Sequence, residues 1–318
     1  MLRYVIRRIA VLALTLVGVL AVVFLSLHLA PGDPISLLVP TEAAGGLTPR
    51  EFVERLRAQY GLDRPLPVQF VKFLGRVARL DLGRSMRTNR PVAHELRARY
   101  PATIELAVAA MAVAVGLAFP VGMLSALRPY SLLDSTAMSV AVAGVSLPSF
   151  WTGFLLMLIF AFHLGWLPPS GRGGPAWTLD GLRTLVMPAI ALGAGGAGIL
   201  ARLVRSSLLE VLGLDYVRTA RAKGVPERRV VMRHALRNAL VPVVTVLGLQ
   251  FGYLLSGAVV VETVFAWPGI GRYMVGAIAR RDVFVVQSSV LAIAVTFAVV
   301  NLAVDLLYAA LDPRIRYD

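Results

Sequence analysis

The chain has 318 residues, 57% of them hydrophobic and only 16% charged, whereas a soluble domain is usually ~45–50% apolar. Its charges cluster and leave apolar runs of the ~20 residues that a helix needs to cross ~30 Å of hydrocarbon, which excludes an ordinary soluble fold. The net charge of +14 lies between those runs, which argues for membrane topology and against nucleic acid, and the lack of cysteine rules out a disulfide framework or a thiolate metal site.

The first apolar run, Ile9 to Ala30, follows Arg3, Arg7 and Arg8. It is too long for a signal peptide and ends in His28-Leu29-Ala30 without a small-x-small cleavage site, so it reads as an uncleaved first span. The next segment, to Tyr100, is arginine-rich. In it Thr48-Pro49-Arg50-Glu51 reads as a capping box, with Thr48 as N-cap and Glu51 three residues on. Phe52, Val53, Leu56 and Tyr60 then share one face, and Gly61 ends the helix, which predicts a small external helical subdomain.

Five further spans are predicted over Leu106 to Leu127, Thr136 to Phe162, Leu185 to Ala201, Ala239 to Val261 and Val283 to Val304. Pro120, Pro148, Pro188, Pro242 and the glycines from Gly193 to Gly198 interrupt them, as bundled bilayer helices tolerate when neighbours satisfy the freed backbone groups. Arginines in the short loops orient the chain with both termini cytoplasmic, together with Arg128 and the segment Arg202 to Arg237. The arginine-rich segment 31–100 then lies outside, because long segments translocate largely regardless of charge. The resulting division is 1–30 for the N-terminal segment and first span, 31–100 for the external subdomain, and 101–318 for the core, with a cytoplasmic elbow at 209–240.

That elbow is the most informative segment. Asp215 is placed to cap a short helix containing Tyr216, Arg218, Thr219, Ala220, Arg221, Ala222 and Lys223, and Gly224 to end it in the left-handed conformation. Pro226 and Glu227 open a second helix. Its apolar face carries Val230, Val231, Ala235, Leu236, Ala239 and Leu240, opposite Arg228, Arg229, Arg233 and Arg237, with His234 between. Physics alone leaves two readings: a basic loop on lipid headgroups at roughly 1 kcal/mol per cation, or a rigid elbow that docks in a partner's groove.

Other polar positions are less specific. Glu105, Glu262 and Asp305 fall at predicted span ends, where water is close and capping or pairing is expected, while Gln250 and Asn301 lie deeper and either line a path or bond another helix. Gly248, Gly252 and Ser256 repeat every four residues, a spacing that lets helix backbones approach either within the bundle or across an interface with another chain. His28, His94, His163 and His234 are scattered, and no H-E-x-x-H or G-x-S-x-G occurs, so no catalytic site is expected. The two lysines, Lys72 and Lys223, stand in no G-x-x-x-x-G-K-[ST] loop.

The stretch from Asp215 to Pro242 resembles the cytoplasmic coupling segment of bacterial ABC importer permeases, in the dipeptide, oligopeptide and nickel branch. Ala30-Pro31-Gly32-Asp33-Pro34, Leu164-Gly165-Trp166-Leu167-Pro168-Pro169-Ser170-Gly171 and Val261-Glu262-Thr263-Val264-Phe265-Ala266-Trp267-Pro268-Gly269-Ile270-Gly271 agree with that branch. So do Val304-Asp305-Leu306-Leu307-Tyr308 and Leu311-Asp312-Pro313-Arg314. Where the general importer pattern has Glu-Ala-Ala, this chain has Arg218, Thr219 and Ala220, the altered form of the peptide branch.

The resemblance implies an all-α integral membrane protein with about six transmembrane helices, in the type I importer permease fold, multi-pass in the bacterial inner membrane. It implies a homologous second permease, two ATPase subunits that bind ATP and Mg in place of this chain, and an extracytoplasmic substrate-binding protein. The expected cargo is a di- or oligopeptide, with nickel chelates or glutathione as alternatives. The first rival, a secondary transporter, would carry buried carboxylates and inverted repeats, neither of which stands out here. The second is a membrane-bound enzyme.

Overall fold

The computed structural model describes residues 2–29, 49–61 and 63–311. Thr48 and the motif from Pro31 to Pro34 lie outside the described residues, as do Asp312, Pro313 and Arg314. Among the described residues the secondary structure is helical, apart from an isolated antiparallel bridge between Arg84 and Pro91. Five helices are long and apolar enough to cross a membrane, and a bent pair brings the number to six.

The chain divides into two compact units, Met1–Pro101 with Ile270–Thr296, and Ala102–Gly269 with Phe297–Asp318. The first holds α1 (Leu2–Leu29), α2 (Pro49–Tyr60), α3 (Leu66–Ala78), the first turns of α4 (Val92–Leu127), α11 (Ile270–Ala279) and the start of α12 (Val283–Leu311). As expected, Gly61 follows α2 at a φ of +69°. Phe24 of α1 and Phe73 of α3 are buried together with Leu20. Elsewhere in this unit Asp282 caps α12 and gathers the preceding turn: its carboxylate accepts from Ser85 Oγ at 2.5 Å and from the backbone N–H groups of Met86 and Val285.

In the second unit, α7 (Leu179–Leu212) packs against α5 (Leu132–Ser146), α6 (Ser149–Leu156) and α10 (Leu236–Val264). The glycines of α7 are explained by close approach. A side chain at Gly193 would overlap the Ala110 carbonyl of α4, and one at Gly198 the Ala141 carbonyl of α5. The facing positions on α4 are correspondingly small, with Ala107, Ala110, Ala114 and Ala118 fully buried, a packing mode suited to lipid.

Three expectations about the spans are corrected. The third is not one helix: α5 and α6, the latter running on as a π turn over Met157–His163, meet at 103°. Proline disfavours helical geometry in the residue before it, and Leu147, just before Pro148, is extended at φ −84°, ψ 124°. The fourth is twice the length drawn from hydropathy, because α7 runs on through Arg202 and Arg205 to Leu212. At ~1.5 Å per residue it is about 50 Å long, beyond the ~30 Å of hydrocarbon. Arg205 is tolerated there because Asp134 of α5 accepts both its Nε–H and Nη2–H, at 2.6 and 2.5 Å. Third, the fifth span begins well before Ala239, because the elbow's second helix runs straight into it. One helical run extends from Glu227 to Val264, through α9 (Glu227–Arg229), a π turn at Val230–Ala235 and α10.

Candidate functional site: the elbow between α7 and α10

Gly213 closes α7, and α8 (Asp215–Ala222) begins two residues later. The N-cap position is held by Leu214, with no side-chain cap, so the expected capping role of Asp215 is not observed. Asp215 instead occupies the first turn, where its carboxylate complements the helix dipole, and lies 3.6 Å from Arg218. Thr219 Oγ1 donates back to the Asp215 carbonyl. At the other end Gly224 adopts φ +76°. Its N–H donates to Arg221 O at 2.9 Å and the Val225 N–H to Ala220 O at 3.2 Å, so the last carbonyls of α8 are satisfied by a glycine-dependent turn.

One buried side chain and two polar contacts hold α8 in place. Val217 is its one fully buried side chain, which contributes about 1.5–3 kcal/mol. The Arg221 guanidinium forks onto Glu227, Nε to Oε2 at 3.1 Å and Nη2 to Oε1 at 2.7 Å. The pair is partly exposed and contributes under ~1 kcal/mol; the carboxylate raises the pKa of Arg221 above its ordinary value. Tyr216 OH accepts from Asn238 Nδ2 at 2.7 Å and donates to the His234 carbonyl at 3.3 Å. The π turn packs against α8 and α7, and its Val230, Val231 and Ala235 are buried.

The remaining surface is basic. Arg218, Lys223, Arg228, Arg229, Arg233 and Arg237 are exposed, beside exposed Leu214 and Met232, while Ala220 is half-buried and Ala222 exposed. Arg221 is instead engaged with Glu227 across the turn. The elbow is thus a short cationic helix fastened to a rod that continues into α10. Asn238 and the π turn were missed by sequence reasoning and carry no signal there that distinguishes them from helix interior.

The other candidate residues are dispersed. Gly248 and Gly252 face α12 of the same chain, where a side chain would overlap Val304 and Phe297 respectively. Ser256 is exposed and donates to the Gly252 carbonyl at 3.4 Å. Gln250 is buried; its amide lies on Gly196 of α7, and neither amide atom has a partner among the described residues. Glu262 is fully buried rather than near water, accepts from Thr103 Oγ1 of α4 at 2.6 Å, and has Gly269 against its carboxyl group. Glu105 takes both donors of Arg172 on Oε2, at 2.9 and 2.6 Å. Asn301 is half-buried on α12, and Asp305 lies on the same helix. Asp134, the partner of Arg205, also escaped sequence reasoning. The Ser131-x-x-Asp134 pattern that starts α5, with Ser131 accepting from the Asp134 N–H, is the signal that marks it.

Residues 118–317 match the family described as binding-protein-dependent transport system inner membrane component. Residues 1–107 match the N-terminal region of such membrane components. The glutathione transport system permease protein GsiC of Pectobacterium atrosepticum is 46% identical over 317 residues, covering 100% of both chains. The dipeptide transport system permease protein DppB of Escherichia coli K12 is 40% identical over 341 residues, covering 100% of this chain and 99% of that one. Among solved structures, a chain of the MetNI methionine ABC transporter, in a study of its inward-facing conformations, superposes with a TM-score of 0.58. It has 19% identity and covers 70% of this chain and 98% of its own.

Proposed function

The chain belongs to the family of binding-protein-dependent transport system inner membrane components, and from that premise we propose that it forms half of an import path for di- or oligopeptides, driven through its elbow. It is a multi-pass permease subunit of an ABC importer. Relatives named for glutathione and for dipeptide transport support a short peptide or a glutathione-like tripeptide as cargo. The elbow, both termini and the α7–α8 turn face the cytoplasm in this reading, where paired ATPase subunits receive α8, ATP and Mg bind to those subunits and not to this chain, and a homologous permease completes the path. An extracytoplasmic binding protein delivers the cargo.

The observation that carries the reading is mechanical: α8, with Val217 buried, is fastened by Arg221–Glu227 and Tyr216–Asn238 to a helical run that continues to Val264. Displacement of α8 by a closing ATPase pair is therefore delivered to α10 instead of being absorbed in a loop. Gln250, on α10 against the glycines of α7, then becomes available to cargo whenever these helices part. The chain has no cysteine, which permits a direct test. Lys223→Cys in the assembled transporter should cross-link to ATPase subunits through a short bifunctional maleimide. Labelling of Lys223→Cys by an impermeant maleimide from the extracytoplasmic side of intact cells would contradict the orientation.

A further inference from the structure

A second site lies in the first unit. A cavity of about 500 Å³ is lined by Lys72 and Arg76 of α3 and its C-cap Arg79, with His28 of α1, Gln69 of α3 and Gln287 of α12, and no carboxylate lines it among the described residues. The three cations recur at i, i+4 and i+7, so they form one stripe. Lys72 and Arg79 have no acidic partner among the described residues. Arg76 lies 4.9 Å over the Phe284 ring, and burial lowers its pKa, with Asp81 opposing. His28 turns both ring nitrogens toward oxygens, Nδ1 to Phe24 O at 2.7 Å and Nε2 to Gln69 Oε1 at 3.1 Å, which pins the polar wall in place.

An apolar cavity shares one wall residue with this one. Phe24 lines both the cationic cavity and a groove of about 180 Å³ formed by Ala21, Leu25, Leu66, Pro67 and Phe70. The groove runs on the flank of α1, of whose apolar window the chain itself buries only 11%. Nearby Leu66 and Val71 of α3 are exposed, at 42% and 67%. A ligand that fills both spaces needs a compact anionic head and a hydrocarbon tail. Free phosphate would leave the groove empty, whereas a phospholipid supplies both parts in one molecule.

We propose that α1 and α3 form a site for one anionic phospholipid, its phosphate among Lys72, Arg76 and Arg79 and an acyl chain in the groove beside Phe24. The site would moor α3 at the bilayer surface, where each cation attracts anionic lipid.

The test uses the assembled transporter, reconstituted in nanodiscs of mixed phosphatidylglycerol and phosphatidylcholine, delipidated by detergent washing and measured by native mass spectrometry. The wild type should retain one phosphatidylglycerol per copy of this chain. Lys72→Gln/Arg76→Gln/Arg79→Gln should retain it roughly a hundredfold less, given the contribution of each cation, and Lys72→Gln alone, at an exposed position, should show a smaller loss. Arg87→Gln/Arg97→Gln/Arg280→Gln, a charge-matched control on exposed residues, should behave as wild type. Ala21→Trp, which fills the groove, should also release the lipid. Equal retention by the cavity variant and wild type, or equal loss in the control, overturns the site. Loss in the cavity variant with full retention in Ala21→Trp overturns the seating of an acyl chain in the groove.

Discussion

Gly224→Pro probes the coupling device at its narrowest point. The native φ of +76° is out of reach for proline, which is held near −65°, and the N–H donated to Arg221 O at 2.9 Å disappears. An ordinary L-residue in the left-handed region costs ~1–2 kcal/mol and a lost hydrogen bond ~1 kcal/mol; proline must break the turn altogether. What holds α8 in place is of the same size: Val217 at about 1.5–3 kcal/mol, the exposed Arg221–Glu227 fork below ~1 kcal/mol and the Tyr216–Asn238 bond at ~1 kcal/mol. The substitution should therefore free α8 while the helices of the second unit stay packed. In proteoliposomes containing the assembled transporter, peptide uptake per ATP hydrolysed should fall at least about tenfold, since ~1.4 kcal/mol is a factor of ten. Gly224→Asn, which tolerates the left-handed region, should stay near wild type. Wild-type uptake per ATP in the proline variant would refute the reasoning.

Arg205→Ala should lower stability in detergent by ~3–5 kcal/mol, because it strands the buried Asp134 carboxylate, and Asp134→Leu/Arg205→Leu should recover most of that in thermal unfolding. Gly252→Leu should lower the melting temperature through overpacking against Phe297, at ~1–3 kcal/mol. Ser256→Leu, at an exposed position, should leave the chain's own stability within ~0.5 kcal/mol; weakened recovery of a second permease with this variant would locate an interface there. Gln250→Leu should stabilise the chain by removing an unsatisfied buried amide, worth ~1–3 kcal/mol, and yet slow uptake. Unchanged uptake would assign Gln250 to packing alone.

Much of the fold was legible because bilayer spans announce themselves by length and apolarity, and the elbow because its amphipathic face and Gly224 obey local rules. Span limits were misread where a charge is neutralised by a distant partner. Arg205 looks like a helix end until Asp134, 71 residues away, is brought beside it. Glu262 looked solvated for the same reason, since hydropathy does not show Thr103 and Gly269 closing over its carboxyl group. The break at Leu147-Pro148 was visible as a proline but not as a 103° turn, because prolines in bilayer helices are often accommodated without one; Pro188 and Pro242 in this chain lie inside continuous helices. The π turn that seats α8 depends on side-chain packing between α8 and the following run, which no periodicity in the sequence encodes.

The most direct test is to purify the tagged chain from its native membrane in mild detergent and identify by mass spectrometry what accompanies it stoichiometrically. A second six-span permease and ATPase subunits bearing G-x-x-x-x-G-K-[ST] loops should be recovered, and their yield should drop when α8 is disrupted by Gly224→Pro while the permease still inserts. A chain recovered alone that transports substrate in proteoliposomes without any ATPase would contradict the importer assembly and favour a secondary transporter.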